Sequence, residues 1–321
     1  MKKEARRRVF FGTPEFAVES LNRLVEGGYN VVGVVTMPDK PAGRGHKLLQ
    51  SAVKQYALQH DLPVMQPERL KDETFVEQLR SLRADLFIVI AFRMLPEVVW
   101  TMPPLGTFNL HASLLPKYRG AAPINWAVMN GDTTTGVTTF FLQHEIDTGD
   151  IIQQRAIDIA RTDNVGDVHD RLMTLGADMV LETVNAILDG TVKPIPQDQL
   201  TAGQQPTPAP KIFPETCRID WTWPGERIYN HVRGLSPYPA AWTTLVLPSG
   251  ESLKLKIFET GEPELGKAMA GTLIVERHKL FVGCGDGRIE IKSLQLAGKR
   301  RMGTDEFLRG IDLNQCKIDL A

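Results

Sequence analysis

An amide and an imidazole two residues apart are the first sign of chemistry in this chain. In Gly106-Thr107-Phe108-Asn109-Leu110-His111 strand alternation puts Asn109 and His111 on one face, and Phe108 with Leu110 on the other. An asparagine amide can donate to an oxygen that is gaining negative charge, and a histidine can move a proton near neutral pH. A lone histidine at a strand end is more often a satisfied core residue than a catalyst. Asn109 on the same face tips the reading toward a site. A carboxylate would complete the set, and His144-Glu145-Ile146-Asp147-Thr148-Gly149-Asp150 offers three acids in turn-rich sequence. Glu145, Asp147 and Asp150 are each also ordinary turn residues, and spacing does not choose among them.

The elements around these residues must bring them together. In an open parallel sheet, ligands sit beyond the carboxyl ends of strands, and the chain turns there at once, at 112–116. Upstream, 8–12 reads as a strand meeting a turn, where Thr13 is expected to cap a helix with Pro14 in its first position. Strands are expected at 31–36, 63–65, 85–90 and 136–142, with helices at 51–60, 72–83 and 166–188. This alternation predicts an α/β fold with a mostly parallel sheet and helices on both faces. Residues 189–210 are rich in proline and glycine and read as a linker. Beyond it, short runs at 242–247, 253–258, 271–275, 279–282 and 288–294 are split by turns, as in a small β-barrel. Trp221, Trp223, Tyr238 and Trp242 alternate with turn residues and are expected in the barrel core.

The chain has 321 residues, which makes two domains the natural division. Lys plus Arg is 37, Asp plus Glu is 38 and the net charge is −1, which excludes a wholly basic nucleic-acid coat but not local basic patches. Residues 211–321 carry 16 basic and 14 acidic side chains, so the barrel half is slightly basic. Cys217, Cys284 and Cys316 form no CxxC, which argues against a disulfide framework or a cysteine zinc site. The opening MKKEARRR is followed by too short an apolar run for a signal peptide, and the run at 86–92 is too short to span a bilayer. A cytoplasmic protein with no membrane partner is expected. Neither GxGxxG nor GxxxxGK[ST] occurs, which disfavours dinucleotide and P-loop binding.

The run Asn109-Leu110-His111-Ala112-Ser113-Leu114-Leu115-Pro116-Lys117-Tyr118-Arg119-Gly120-Ala121-Ala122-Pro123-Ile124 resembles the signature of the methionyl-tRNA formyltransferases. Phe11-Gly12-Thr13-Pro14-Glu15-Phe16-Ala17-Val18, the Pro38-Asp39-Lys40-Pro41-Ala42-Gly43-Arg44-Gly45 loop and the Asp147-Thr148-Gly149-Asp150 turn are similar to the same family. So are Arg218-Ile219-Asp220-Trp221, Arg233-Gly234-Leu235-Ser236-Pro237-Tyr238-Pro239 and Leu296-Ala297-Gly298-Lys299-Arg300, in order. The Asn-x-His-x-Ser-Leu-Leu-Pro run is shared by folate-dependent formyltransferases in general. The Pro-Ala-Gly-Arg-Gly loop and the carboxyl-terminal half single out the tRNA enzymes.

The resemblance implies a Rossmann-like formyltransferase domain (1–188), a linker (189–210) and an OB-like tRNA-binding barrel (211–321). It implies formyl transfer from 10-formyltetrahydrofolate to the amine of methionyl initiator tRNA, without a metal; a monomer is expected. Its catalytic trio falls on Asn109, His111 and Asp147. Its folate contacts fall on Ser113, Leu114, Leu115 and Pro116, and on Phe92, Arg93, Met94 and Leu95. There the chain departs from many relatives: Ala91-Phe92-Arg93-Met94-Leu95-Pro96 is one residue shorter than their loop, and Arg93 is similar to the glycinamide ribonucleotide formyltransferases. The tRNA candidates are Arg44 first, then Lys40, Lys47 and Lys211, with His46 in the same loop and Lys299-Arg300-Arg301 in the barrel. Rival readings are formyl transfer to a sugar nucleotide or purine precursor, formate release from the folate, and a non-catalytic RNA-binding protein.

Overall fold

Short apolar runs in the first half of the chain become strands, and the amphipathic stretches between them become helices. The order is β1 (Arg8–Gly12), α1 (Glu15–Glu26), β2 (Val31–Val35), β3 (Lys40–Ala42), β4 (Lys47–Leu49), α2 (Ala52–Gln59) and β5 (Val64–Met65). Then come α3 (Glu73–Ser81), β6 (Leu86–Ile90), α4 (Glu97–Trp100), β7 (Thr107–His111), β8 (Arg119–Gly120) and α5 (Pro123–Met129). β9 (Thr134–Phe141), β10 (Ile151–Asp158) and α6 (Val165–Leu188) follow. The computed structural model describes residues 3–42, 47–201 and 205–320. One compact unit holds Met1–Gly120, Gly136–Ile157 and His169–Pro208; the other holds Ala121–Thr135, Asp158–Val168 and Ala209–Ala321.

The first unit is built on a seven-stranded sheet in the order β10-β9-β7-β6-β1-β2-β5. β1 runs parallel to β2 and β6, and β6 runs parallel to β7, while β9 is antiparallel to β7. Every residue of β1 and β6 is buried, as expected of central strands covered on both faces. Val9, Phe11, Phe75, Val76, Leu79, Phe87 and Val89 share one core cluster. Helix starts follow local chemistry: Ser51 Oγ accepts from Lys54 N at 3.0 Å, and Asp72 Oδ1 from Phe75 N at 3.2 Å. The chain winds outward through β1, β2 and β5, then returns to β6 on the other side of β1. The carboxyl ends of β1, β6 and β7 are therefore neighbours, with Gly12 beside Ile90 and Ile90 beside Leu110. Strand order reverses here, which is where open α/β sheets bind ligands.

The fold departs from expectation at several points. Thr13 does not cap α1. Pro14 takes that position in extended conformation, its carbonyl accepting from Ala17 N at 3.0 Å, and Thr13 Oγ1 is buried without a partner among the described residues. The Thr13 carbonyl instead takes the amide of Val53 at 3.4 Å, which turns this residue toward α2. The expected basic loop is in part a hairpin of β3 and β4. β10 is a strand where sequence reading saw none, because the polar run Gln153-Gln154-Arg155 breaks its apolar pattern, as a half-exposed edge strand permits.

In the rest of the chain β11 (Pro208–Ala209) and α7 (Gly225–Leu235) precede β12 (Ala241–Val246), β13 (Ser252–Thr260), β14 (Glu264–Leu265), β15 (Leu273–Glu276) and β16 (Lys279–Cys284). β17 (Gly287–Leu296), β18 (Met302–Gly303), α8 (Thr304–Gly310) and β19 (Lys317–Asp319) complete it. An antiparallel, nearly closed barrel-like sheet runs β15-β16-β17-β13-β12-β19, with β14 and β18 paired to β17. Trp221 is buried at its core, where its indole N–H donates to Thr243 Oγ1 at 3.0 Å. Trp223 and Trp242 are half-buried. Tyr238 is 81% exposed, against expectation: it lies in a proline-flanked turn before β12, where no strand directs it inward. The three cysteines are buried free thiols. Among the described residues no helix is long and apolar enough to cross a membrane.

Candidate active site

β7 delivers the first two groups. Phe108 and Leu110 are buried on its apolar face, while Asn109 stands opposite, between Val89 of β6 and Phe140 of β9. Among the described residues nothing in the chain hydrogen-bonds the Asn109 side chain, so its amide is free to serve a ligand. His111 is only 7% exposed, and its Nε2 lies 2.8 Å from the carbonyl oxygen of Tyr118. A carbonyl only accepts, so Nε2 carries the proton and Nδ1 is the nitrogen left for chemistry. Tyr118 adopts a left-handed conformation, φ 62°, uncommon outside glycine and indicative of a locally determined turn.

Of the three candidate acids only Asp147 reaches the histidine. Its Oδ2 stands 3.9 Å from His111 Nδ1 and accepts the backbone N–H of Gly120 at 2.9 Å. At that separation there is no direct hydrogen bond, and the two groups attract by charge only when the imidazole carries a proton on both nitrogens. Both side chains are largely withdrawn from solvent, at 8% and 15% exposure, so screening is weak. Glu145 is exposed, and Asp150 accepts from Gln143 Nε2 at 3.4 Å. Asp147 holds φ 55°, which aspartate tolerates better than most residues. Gly149 is required two residues on: a Cβ there would lie 1.7 Å from the Phe141 carbonyl oxygen.

The 113–116 loop is held by groups that sequence reading did not single out. Thr138 Oγ1 donates to the Ser113 carbonyl at 2.6 Å and accepts from Leu115 N at 3.1 Å. Gln154 Nε2 reaches both the Leu115 carbonyl and Thr138 Oγ1, at 2.7 and 2.9 Å. Ser113 and Leu115 are buried, while Leu114 and Pro116 are half-buried. In the second loop Phe92 packs edge-on to Phe11 at 5.8 Å and Leu95 is buried, whereas Met94 is 71% exposed. Arg93 binds the carbonyls of Glu68 and Pro67, and burial lowers its guanidinium pKa. It anchors its loop rather than dangling in solvent.

The basic candidates are scattered in environment. Lys40 is exposed on β3, and Lys47 starts β4; Arg44 and His46 lie outside the described residues. Lys211 is exposed, its Nζ 5.5 Å from the centre of the Phe213 ring. Lys299 is exposed, Arg300 pairs with Glu306, and Arg301 donates to Ser293 Oγ at 2.8 Å. Among the described residues no three His, Cys, Asp or Glu side chains group as metal ligands.

The fold that carries this amide, imidazole and carboxylate is shared with known proteins. Residues 6–184 match the formyl transferase family and residues 211–312 its C-terminal domain; the chain belongs to that family and is an enzyme of its class. It is 63% identical over 317 residues to the methionyl-tRNA formyltransferase of Bacteroides fragilis, covering 98% of both chains. To the protein of the same name from Porphyromonas gingivalis it is 50% identical over 318 residues, again covering 98% of both. Among solved structures the fold is shared with WlaRD, a sugar 3N-formyl transferase (TM-score 0.64, 18% identity, 92% of this chain and 99% of that one). It is also shared with HypX from Aquifex aeolicus in complex with tetrahydrofolic acid (TM-score 0.62, 20% identity, 94% of this chain and 46% of that one).

Proposed function

We propose that the protein transfers the formyl group of 10-formyltetrahydrofolate to the α-amino group of methionine on initiator tRNA, giving N-formylmethionyl-tRNA. The observation that carries the reading is His111 Nδ1 and Asp147 Oδ2 at 3.9 Å, in a chain 63% identical to a methionyl-tRNA formyltransferase across its length. A neutral amine attacking the formyl carbon makes a tetrahedral centre with a negative oxygen and a positive nitrogen; the folate N10 then leaves with a proton. The Asn109 amide, without a partner among the described residues, suits that oxygen as a donor. His111, its Nε2–H held by the Tyr118 carbonyl, works through Nδ1: protonated there, it donates to the same oxygen or to the departing nitrogen. Asp147 stabilises the charged imidazole and relays the proton of the amine.

Ser113, Leu114, Leu115 and Pro116, with Phe92, Arg93, Met94 and Leu95, are read as the folate contacts. Lys40, Arg44, Lys47 and Lys211 are read as the tRNA contacts, through phosphate. The protein acts as a cytoplasmic monomer, a setting that suits three unpaired thiols. The test is transfer of labelled formyl to methionyl initiator tRNA, to glycinamide ribonucleotide and to no acceptor. Label on the tRNA alone is expected. Formate released equally fast without acceptor, or preferential labelling of the ribonucleotide, overturns the reading.

A further inference from the structure

The Asp147 turn is held from a distance by a residue in the proline-rich segment. Gln197 is 2% exposed and opens a single 3-10 turn, Gln197–Gln199. Its Nε2 donates to the backbone carbonyls of Asp147 and Gly149, both at 2.8 Å. Its Oε1 accepts from Nε and a terminal nitrogen of Arg119, at 3.1 and 2.7 Å. Carbonyls only accept and a guanidinium only donates, so the orientation of this amide is chemically determined and its two donors and two acceptor sites are all used. Arg119 is followed by Gly120, whose N–H grips the Asp147 carboxylate. The loop is thus closed: Gly120 holds the carboxylate, Gln197 holds the backbone beneath it, and Arg119, its neighbour in sequence, holds Gln197. Paired hydrogen bonds between Ile151 and Ile195, both 2.9 Å, pin the chain just before Gln197.

We propose that Gln197 is a positioning residue for formyl transfer, its amide keeping the Asp147 turn in the left-handed conformation that aims the carboxylate at His111. This rests on the role given to Asp147 above. A general structural prop would stabilise the fold without tuning the reaction; a positioning residue must alter the chemical step itself. Displacing a reacting group by about 1 Å can cost about 10²-fold in rate.

The experiment uses the full chain and compares Gln197→Met, Gln197→Glu, Arg119→Met and Asp147→Asn, with the double variant of Asp147→Asn and Gln197→Glu. Gln197→Met keeps the volume without polar atoms. Gln197→Glu keeps the size and the Arg119 pairing but, ionised, faces two carbonyl oxygens with no proton to donate. Readouts are kcat, KM for folate and for tRNA, the pH profile of kcat and the thermal midpoint. The Gln197 variants are expected to lower kcat about 10- to 100-fold with both KM values nearly unchanged, and to shift the pH profile. Arg119→Met, at a half-buried site better able to tolerate change, is expected to give a smaller effect of the same kind. In the Asp147→Asn background Gln197→Glu should add little, because coupled residues are non-additive. If Asp147→Asn is crippled while the Gln197 and Arg119 variants lose only thermal stability, the positioning role is refuted and the role of Asp147 stands. If Asp147→Asn keeps its kcat, the reading of Asp147 fails first.

Discussion

Asn109→Ala isolates transition-state stabilisation from folding. The Asn109 amide has no partner within the described chain, so its removal leaves no buried group orphaned, and a stability loss within about 1 kcal/mol is expected. Loss of one oxyanion donor costs about 10²–10³ in kcat, or about 2.7–4 kcal/mol of barrier. The ground-state formyl oxygen carries little charge, so KM for both substrates should change little while kcat and kcat/KM fall together. His111→Ala is a poorer probe, since it strips the Tyr118 carbonyl of its donor at 2.8 Å and adds a folding cost of about 1–3 kcal/mol. The assay is the initial rate of formyl-methionyl-tRNA formation across both substrate ranges, with a thermal melt of the same preparation. A kcat reduced less than about tenfold, or a loss traceable to unfolding, would refute the oxyanion role.

Gly149→Ala should collapse activity and lower the melting temperature, because its Cβ would lie 1.7 Å from the Phe141 carbonyl oxygen; a variant with wild-type kcat would show that the turn can move without consequence. Burial lowers the His231 pKa to about 4, from an ordinary 6.5. The unfolded chain therefore binds more protons between those values, and stability is lost as pH falls through that window. His231→Gln should lose about 2–3 kcal/mol less than wild type between pH 7 and 4.5, on denaturant titration at both pH values; equal losses would locate the acid sensitivity elsewhere. Arg44→Ala should weaken tRNA binding and flatten its dependence on log salt by about 0.7–0.9 per lost phosphate contact. An unchanged slope would remove Arg44 from the interface.

Local pattern carried much of the fold. The largely apolar, β-branched-rich stretches at 31–36 and 85–90 read as strands covered on both faces, and they are β2 and the central β6. The helices expected over 51–60 and 72–83 form, and the structure shows Ser51 and Asp72 capping them through side chains that act within three residues. The edge strand β10 was silent because one exposed face lets polar residues into a strand. Tyr238 misled because an aromatic residue beside prolines has no periodicity to reveal its direction.

What the sequence by itself determined is the pairing of Asn109 with His111, since two-residue alternation on a strand leaves the backbone no other face to choose. Residue spacing left Glu145, Asp147 and Asp150 open and only the family resemblance pointed to Asp147; the physical reason that this acid meets the imidazole lies in the tertiary structure. There the Asp147 carboxylate accepts the Gly120 N–H, 27 residues upstream, and its backbone carbonyl accepts the Gln197 amide, 50 residues downstream. Hydrogen bonds between such distant positions exist only once the strands have been ordered in space, and no local propensity encodes them.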